Sequence, residues 1–536
     1  MHAPAAQHGS AGRREHSFSR LLARRLVPYR DEELTVLAAA MVAEPDAPSN
    51  DPEPEENLAV PSGYTYLGQF IDHDLTFETT SAFGSNQAPT NVRTPRLDLD
   101  SLYGAGPNDQ PYMYATHTGD GLRKGASLVP GRALAGSPGR HDLLRVGSGR
   151  QARAVIGDPR NDENTLICNL HAAFIAFHNA LVNDVGKRYP GLSDREAFER
   201  SRQLLRWTYQ RIVIDDYLPR IVAPATYSTF RHRLDQQGEG AFRLYTPDKR
   251  GAIPIEFAGA AYRFGHSMVR PGYKLNAVHA PQLIFTPGDG DDSLVGFGPL
   301  LENHWVDWRR FFPINNEFSA LGERPAQNVN TAPDRLQWAY RIDTTLVDPL
   351  RLLPTTVGAG MSLADLNLRR GNLFGIVSGQ TFAAALGVPA LDHVYLVTRA
   401  GDEEGVRFRP IGTQFLNDTP LWLYVLAEAQ RELVDAWIGK GGTYDGDVVL
   451  TESDMLLGIA GPDDRRQRAP VAQLGPVGGM ILMETLFGLL LADPTSVLRI
   501  GTPEQRLWHD DWFAVFTDGG KAEVSMWQLL TFAGLT

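Results

Sequence analysis

The chain has one cysteine, Cys168, in 536 residues. An intramolecular disulfide is therefore excluded, and so is any zinc or iron–sulfur site built on several thiolates. Such poverty suits a reducing compartment, although a large exported protein can also do without disulfides. The chain also lacks an excess of positive charge. Its 51 Lys and Arg stand against 63 Asp and Glu, a formal net charge of −12, which offers no basic footprint to a polyanion. The opening residues, MHAPAAQHGSAGRREHSFSR, contain no apolar run of signal-peptide length. The longest apolar stretch, MILMETLFGLLLA at 480–492, carries Glu484 and is too short to cross a bilayer. The expectation is no nucleic-acid partner and no membrane span. The expected location is cytoplasmic, or outside the cell by export without a recognisable signal peptide.

What is present is ordinary for a globular protein: 43% hydrophobic and 21% charged residues. The length is enough to enclose a large cofactor in a continuous core. Residues 1 to about 30 are rich in Arg, Ser, Gly and His, and residues 44–56 (EPDAPSNDPEPEE) are acidic and Pro-rich. Together residues 1–56 read as a flexible extension and connector. Residues 57–536 read as one large, mainly α domain with little β structure and long Pro- and Gly-rich connections. Apolar periodicity predicts helices over 166–186, 194–217, 421–437 and 478–491, and short strands over 394–398 and 406–408.

Four segments carry residue types suited to chemistry. In GQFIDHDLTF (68–77), Asp72, His73 and Asp74 are consecutive, so on a helix they point about 100° apart and cannot all serve one small site. Gln69 lies one turn before His73 and shares its face. In TPRLDLDSLYG (94–104), Asp98 and Asp100 alternate with leucines in a carboxylate-rich loop able to offer oxygens to a hard cation, with Asp74 available to complete the set. On its own the pattern reads more readily as a plain surface loop. In GDPRNDENTLICNLHAAFIAFHN (157–179), Arg160 and Glu163 share a face before an apolar helix. They are either a surface ion pair or a cation placed to stabilise a developing anion. His178 reads as a satisfied core histidine. In FAGAAYRFGHSMVRPGY (257–273), His266 lies among Gly259, Ala260, Ala261 and Gly265, which leave room for a flat ligand, with Arg263 one turn away.

Taken together, and in this order along the chain, these segments resemble the animal-type haem peroxidases of the peroxidase–cyclooxygenase superfamily. The resemblance runs from about Tyr64 to Leu498 and includes LGPVGG (474–479), followed by Glu484 and Asp493-Pro494. It implies a mainly α haem-peroxidase domain using hydrogen peroxide to oxidise bromide, iodide, thiocyanate or phenolic donors through an oxoferryl intermediate. His266 would be the axial iron ligand, with Asn367 accepting a hydrogen bond from its other ring nitrogen. His73 would be the base that moves the peroxide proton, Arg160 the stabilising cation, and Gln69 a wall of the same cavity. Asp72 and Glu163 would form ester bonds to a b-type haem, and Arg263 and Arg370 would face its propionates. Asp74, Thr94, Asp98, Asp100 and the carbonyl of Arg96 would hold Ca2+.

Three departures narrow the resemblance. Asn164 stands where the most oxidising halogenating members have a haem-linked methionine, which disfavours chloride as donor. LRRGNLFG after Asn367 lacks the family's Arg-Asp-His-Gly. The missing cysteine pairs separate the chain from secreted animal members and give it the look of a bacterial-like one. An alternative is a fatty-acid dioxygenase of the cyclooxygenase branch, which carries a radical tyrosine three residues before the proximal histidine, where this chain has Arg263. A third reading, a non-catalytic haem- or calcium-binding structural protein, would fit a chain that had lost His73, Arg160 or His266.

Overall fold

Apolar residues at helical spacing bury most of the chain, and the strands that remain form six separate two-stranded ribbons among the described residues. The computed structural model describes residues 16–78, 89–135, 137, 139–246, 251–286, 293–313, 335–358, 360–402, 405–444, 446, 448–457, 469–518, 521–522 and 524–536. Three helices frame the centre: α1 (Gly63–Leu75), α2 (Thr165–Arg188) and α3 (Asp194–Ile212). Phe70 of α1 stacks on Phe174 of α2 with centroids 4.5 Å apart, and Tyr209 of α3 meets both rings edge-on. Asn164 caps α2 through its side chain, and Ser193 with Glu196 forms a capping box on α3.

Four further elements follow: α4 (Leu363–Leu373), α5 (Leu421–Ala429), α6 (Arg431–Gly439) and α7 (Pro476–Ala492). The predicted helix over 421–437 is thus two. Gln430 breaks it, because its side chain accepts from the Thr344 backbone N–H and hydroxyl and donates to the Val397 carbonyl. The predicted helix over 194–217 ends in a π turn, Val213–Tyr217. There the buried Asp216 accepts from Tyr64 Oη at 2.7 Å, from Arg220 and from the Met526 N–H, so the turn follows tertiary bonds instead of the helical ladder. The predicted strand over 394–398 begins only at Val397, since Asp392 caps a 3-10 turn over His393–Tyr395.

Residues 16–56 are not a loose extension. His16–Ser17 pairs with Thr90–Asn91, Arg25 forms a two-pronged bond to Asp418, and Tyr29 is buried. The acidic connector is ordered by charge, with Glu56 buried between Arg270 and Arg335, each 2.6 Å away. Residues 1–15 lie outside the described residues. Helix α2 is long and apolar enough to cross a membrane by composition, but 78% of its most apolar stretch is buried inside the fold. His178 is a satisfied core histidine, bonded to Tyr103 Oη at 2.9 Å and the Ala126 carbonyl at 2.8 Å.

Glu428 of α5 accepts from the Val477 and Gly478 N–H groups and so caps α7 from inside the core. Burial raises its carboxyl to about 7. A carboxyl raised in the folded state stabilises most below its unfolded value, and that contribution is lost as the pH rises through the folded one. Glu428→Gln keeps an accepting oxygen without the charge. Its stability should match the parent at pH 5 and exceed it by roughly 2–3 kcal/mol at pH 8.5. Paired thermal melts at the two pH values check this, and an equal difference at both would contradict it.

Candidate functional site

A cavity of about 510 Å3 lies between α1, the 255–268 segment and α4, within the usual size range of cofactor sites. Gln69, Asp72, His73, Arg160, Glu163, Arg263, His266 and Arg370 all line it. Asp72 and His73 both reach it because the cavity is large enough to wrap the end of α1. Asp74 turns to the opposite side, as the 100° spacing requires. Gly68 is needed where α1 passes the π turn, since a Cβ there would lie 2.7 Å from Tyr217 Oη.

On the α1 wall the side chains are held from behind. His73 is buried, and its Nδ1 lies 2.8 Å from Asn161 Oδ1. Asn161 Nδ2 in turn lies 3.0 Å from Nδ1 of the buried His171. Burial, with Arg160 adding to it, pushes His73 down to about 4, so the ring is neutral at ordinary pH. Arg160 forms no ion pair with Glu163. It is pinned by Asp158 through Nε at 3.1 Å and Nη2 at 2.8 Å, and Nη2 also donates to the His73 and Thr76 carbonyls. The Phe77 ring lies 4.4 Å from its guanidinium carbon. Gln69 donates to Glu163 and accepts from Asn164 Nδ2 at 3.3 Å. Burial raises the Glu163 carboxyl to about 7.

On the facing wall His266 sits in a 3-10 stretch, Ala261–Met268. Gly265 borders the cavity, and a Cβ there would meet nothing within 4 Å. The other small residues do not serve a ligand: Gly259 packs on Phe374 and Ile376, while Ala260 and Ala261 lie in the core. Asn367 does reach His266 Nδ1, at 2.8 Å, but through Nδ2, while its Oδ1 accepts from Arg263 Nη1 at 3.4 Å. The expected direction is therefore reversed, because the donor-only guanidinium claims the amide oxygen. A metal on His266 Nε2 requires the proton on Nδ1 and hence the amide turned over. Burial, then Arg263 and Arg370, hold His266 down at about 3, leaving a neutral ring with a lone pair to offer.

A flat anionic cofactor fits this chamber. Part of its lining is apolar, including Leu350, Leu353, Leu363 and Phe374, and His73 and His266 line it from different elements. Arg263, pushed down to about 9 by burial and by Arg370, has no carboxylate partner among the described residues, and Arg370 lies 3.5 Å from Glu78. Two neighbouring cations in the lining suit a ligand carrying carboxylates.

Behind α1, ligand atoms of Asp74, Asp98 and Asp100 lie within 4.8 Å of one another. Burial and the two neighbouring aspartates raise the fully buried Asp74 well above the carboxylate range, and Asp98 is raised to about 6. Asp74 accepts from the Leu99 N–H and from Ser101 Oγ, while Thr94 Oγ1 donates to Asp98 at 2.8 Å. Leu99 adopts φ +61°, a left-handed turn that folds the loop round Asp74. The Arg96 guanidinium lies 3.9 Å from Asp493, which does not bear on its backbone carbonyl, the expected ligand. Arg93 bonds Asp100 Oδ1 at 3.1 Å and Asp158 Oδ2 at 2.7 Å.

Residues 78–286 match the family model described as animal haem peroxidase. The chain is 24% identical over 237 residues to the chorion peroxidase of Drosophila melanogaster, 44% of this chain and 26% of that protein. It is 25% identical over 451 residues to the thyroid peroxidase of Homo sapiens, 81% of this chain and 40% of that protein. The chain thus matches well under half the length of these relatives. A fatty acid alpha-dioxygenase structure from Arabidopsis thaliana shares the fold at a TM-score of 0.50 and 14% identity, over 94% of this chain and 76% of that one. Residues 78–286 thus resemble the animal haem peroxidase family, a family that implies haem as cofactor.

Asp158, Asn161, His171 and Arg93 escape a reading of the sequence, yet Asp158 governs the α1 wall. Burial opposes its charge, but Arg160 and Arg93 overcome this and hold the carboxyl below its usual range. Such a group stabilises above its unfolded value, and the contribution is lost as the pH falls through the folded one. Asp158→Asn leaves the buried Arg93 and the partly buried Arg160 without their shared carboxylate and should cost roughly 3–5 kcal/mol at pH 7. The gap to the parent should close only below about pH 4. Denaturant titrations across that range check this; a neutral-pH stability equal to the parent would contradict it.

Proposed function

We propose that the chain is a haem peroxidase that uses hydrogen peroxide to oxidise bromide, iodide, thiocyanate or phenolic donors. One observation carries the reading: a single chamber presents a neutral His266 on one wall and His73, Arg160 and Gln69 on another. Haem bound there supplies the redox chemistry with peroxide and donor. The protein's share is placement and proton movement. His73, neutral and bonded through Nδ1, keeps Nε2 for taking the peroxide proton and returning it to the departing oxygen. Arg160, immobilised by Asp158, sets a positive charge beside the developing anion without having to reorganise. Gln69, fixed by Glu163 and Asn164, shapes the room for donor or water. Asn164 is committed to capping α2 and holding Gln69, so it offers no haem link, and the preferred donors are those easier to oxidise than chloride.

Tyr262 gives the dioxygenase reading little support, since its hydroxyl donates to the Gly68 carbonyl at 3.2 Å. We assign Asp72 and Glu163 as the carboxylates for ester links to haem, because both line the chamber. We assign Asp74, Asp98 and Asp100, with Thr94, to Ca2+, because three crowded carboxylates share only Arg93 as a directly bonded ion-pair partner among the described residues.

Four measurements test these assignments. His266→Ala should abolish haem retention, whereas Arg160→Ala should keep haem and slow the peroxide reaction about 100-fold or more. Full peroxide reactivity in His73→Ala would contradict the base assignment. Acid-acetone should leave haem on the chain if the esters form, and quantitative release would remove them from the account. A calcium chelator should lower the melting temperature and added Ca2+ restore it; an unchanged melt would overturn the metal assignment.

A further inference from the structure

We propose that Asn161 is the positioning residue that makes His73 a base, by fixing which ring nitrogen carries the proton. The inference rests on the peroxidase reading. An amide oxygen only accepts, so Asn161 Oδ1 at 2.8 Å from His73 Nδ1 requires a proton on Nδ1 and leaves Nε2 as a bare lone pair. The amide could satisfy His73 in the opposite sense by turning over. Its Nδ2 would then donate to Nδ1, the proton would move to Nε2, and His73 could not accept from peroxide.

The observed orientation also uses the other end of the amide. His171 Nδ1 accepts from Asn161 Nδ2 at 3.0 Å, so the two ends of one amide are claimed by two rings with opposite demands. Asn161 is fully buried, and its backbone N–H donates to the Asp158 carbonyl at 3.1 Å within the 3-10 turn Pro159–Asp162. That turn is tied down by the Asp158 side chain, which accepts from the Arg160 N–H. One short turn therefore supplies the cation of the site and, on the next residue, the group that sets the histidine tautomer. His171 sits on α2 with Phe70 against its ring, so the far end of the relay is held by the core.

The test compares the full-length, haem-loaded chain with Asn161→Leu and Asn161→Asp at one fixed pH. Leucine keeps the volume and removes the acceptor; aspartate keeps the acceptor and buries a charge. A tautomer role predicts that Asn161→Leu slows the bimolecular reaction with hydrogen peroxide roughly 10- to 100-fold. Asn161→Asp should stay within a few-fold of the parent. A packing role predicts the reverse order, and finding that order would overturn the proposal, as would a fully active leucine variant. The second readout is the infrared C–O stretch of the ferrous carbonyl complex, which falls when an N–H points at the bound gas and rises beside a lone pair. The parent and Asn161→Asp should show one high-frequency band, and Asn161→Leu a second, lower one. If the leucine variant does not fold, His171→Phe decides, because it removes the acceptor at the other end of the amide: a slower reaction with haem retained supports the proposal, and an unchanged rate overturns it. A parent inert toward peroxide would sink the peroxidase reading itself, which the variants alone would not.

Discussion

A buried carboxylate shared by two arginines is the contact on which the α1 side of the chamber depends. Asp158 is inaccessible to solvent, and a lone charge there would be too costly to keep. Arg160 and Arg93 together neutralise it, and each reaches further. Arg160 runs to the His73 and Thr76 carbonyls at the end of α1, while Arg93 runs to Asp100 in the carboxylate cluster. The cluster, the arginine of the chamber and the helix bearing His73 are thereby parts of one charge-balanced unit. A disturbance at any of them leaves a buried charge uncompensated at another.

The same logic orders regions with little apolar content. Glu56 between Arg270 and Arg335 holds the acidic stretch before α1, and Glu484, at the middle of α7, accepts the backbone N–H groups of residues 243–245. In each case a carboxylate gathers separate segments where hydrophobic burial alone would leave them unfixed. This is why the described residues from His16 through the acidic stretch are tied to the fold despite a composition that reads as loose.

Much of the chamber's lining was legible because it lies in short segments of fixed order. His73, Arg160 and His266 are spelled out by residue type and by their neighbours, and all three line one chamber. Helices α2 and α7 were legible from apolar periodicity, since tertiary contacts add nothing to contradict it. What stayed hidden depends on partners far away in sequence. Gln430 breaks a periodic helix through bonds to Thr344 and Val397, and the π turn at 213–217 answers to Tyr64 and Met526. Asn161 reads as a polar loop residue until His73 and His171, 88 positions before and 10 after it, are seen at its two ends. Asn367 was found by its position, but Arg263 decides which end of its amide faces the ring.

The most direct test of the central claim, that this chamber is built for peroxide chemistry on haem, is the absorption spectrum of the purified chain before and after one equivalent of hydrogen peroxide. The account predicts a haem band that shifts on adding peroxide and returns when bromide, iodide or a phenol follows. A haem band indifferent to peroxide would contradict it, and would leave the paired histidines as parts of a binding protein rather than an enzyme.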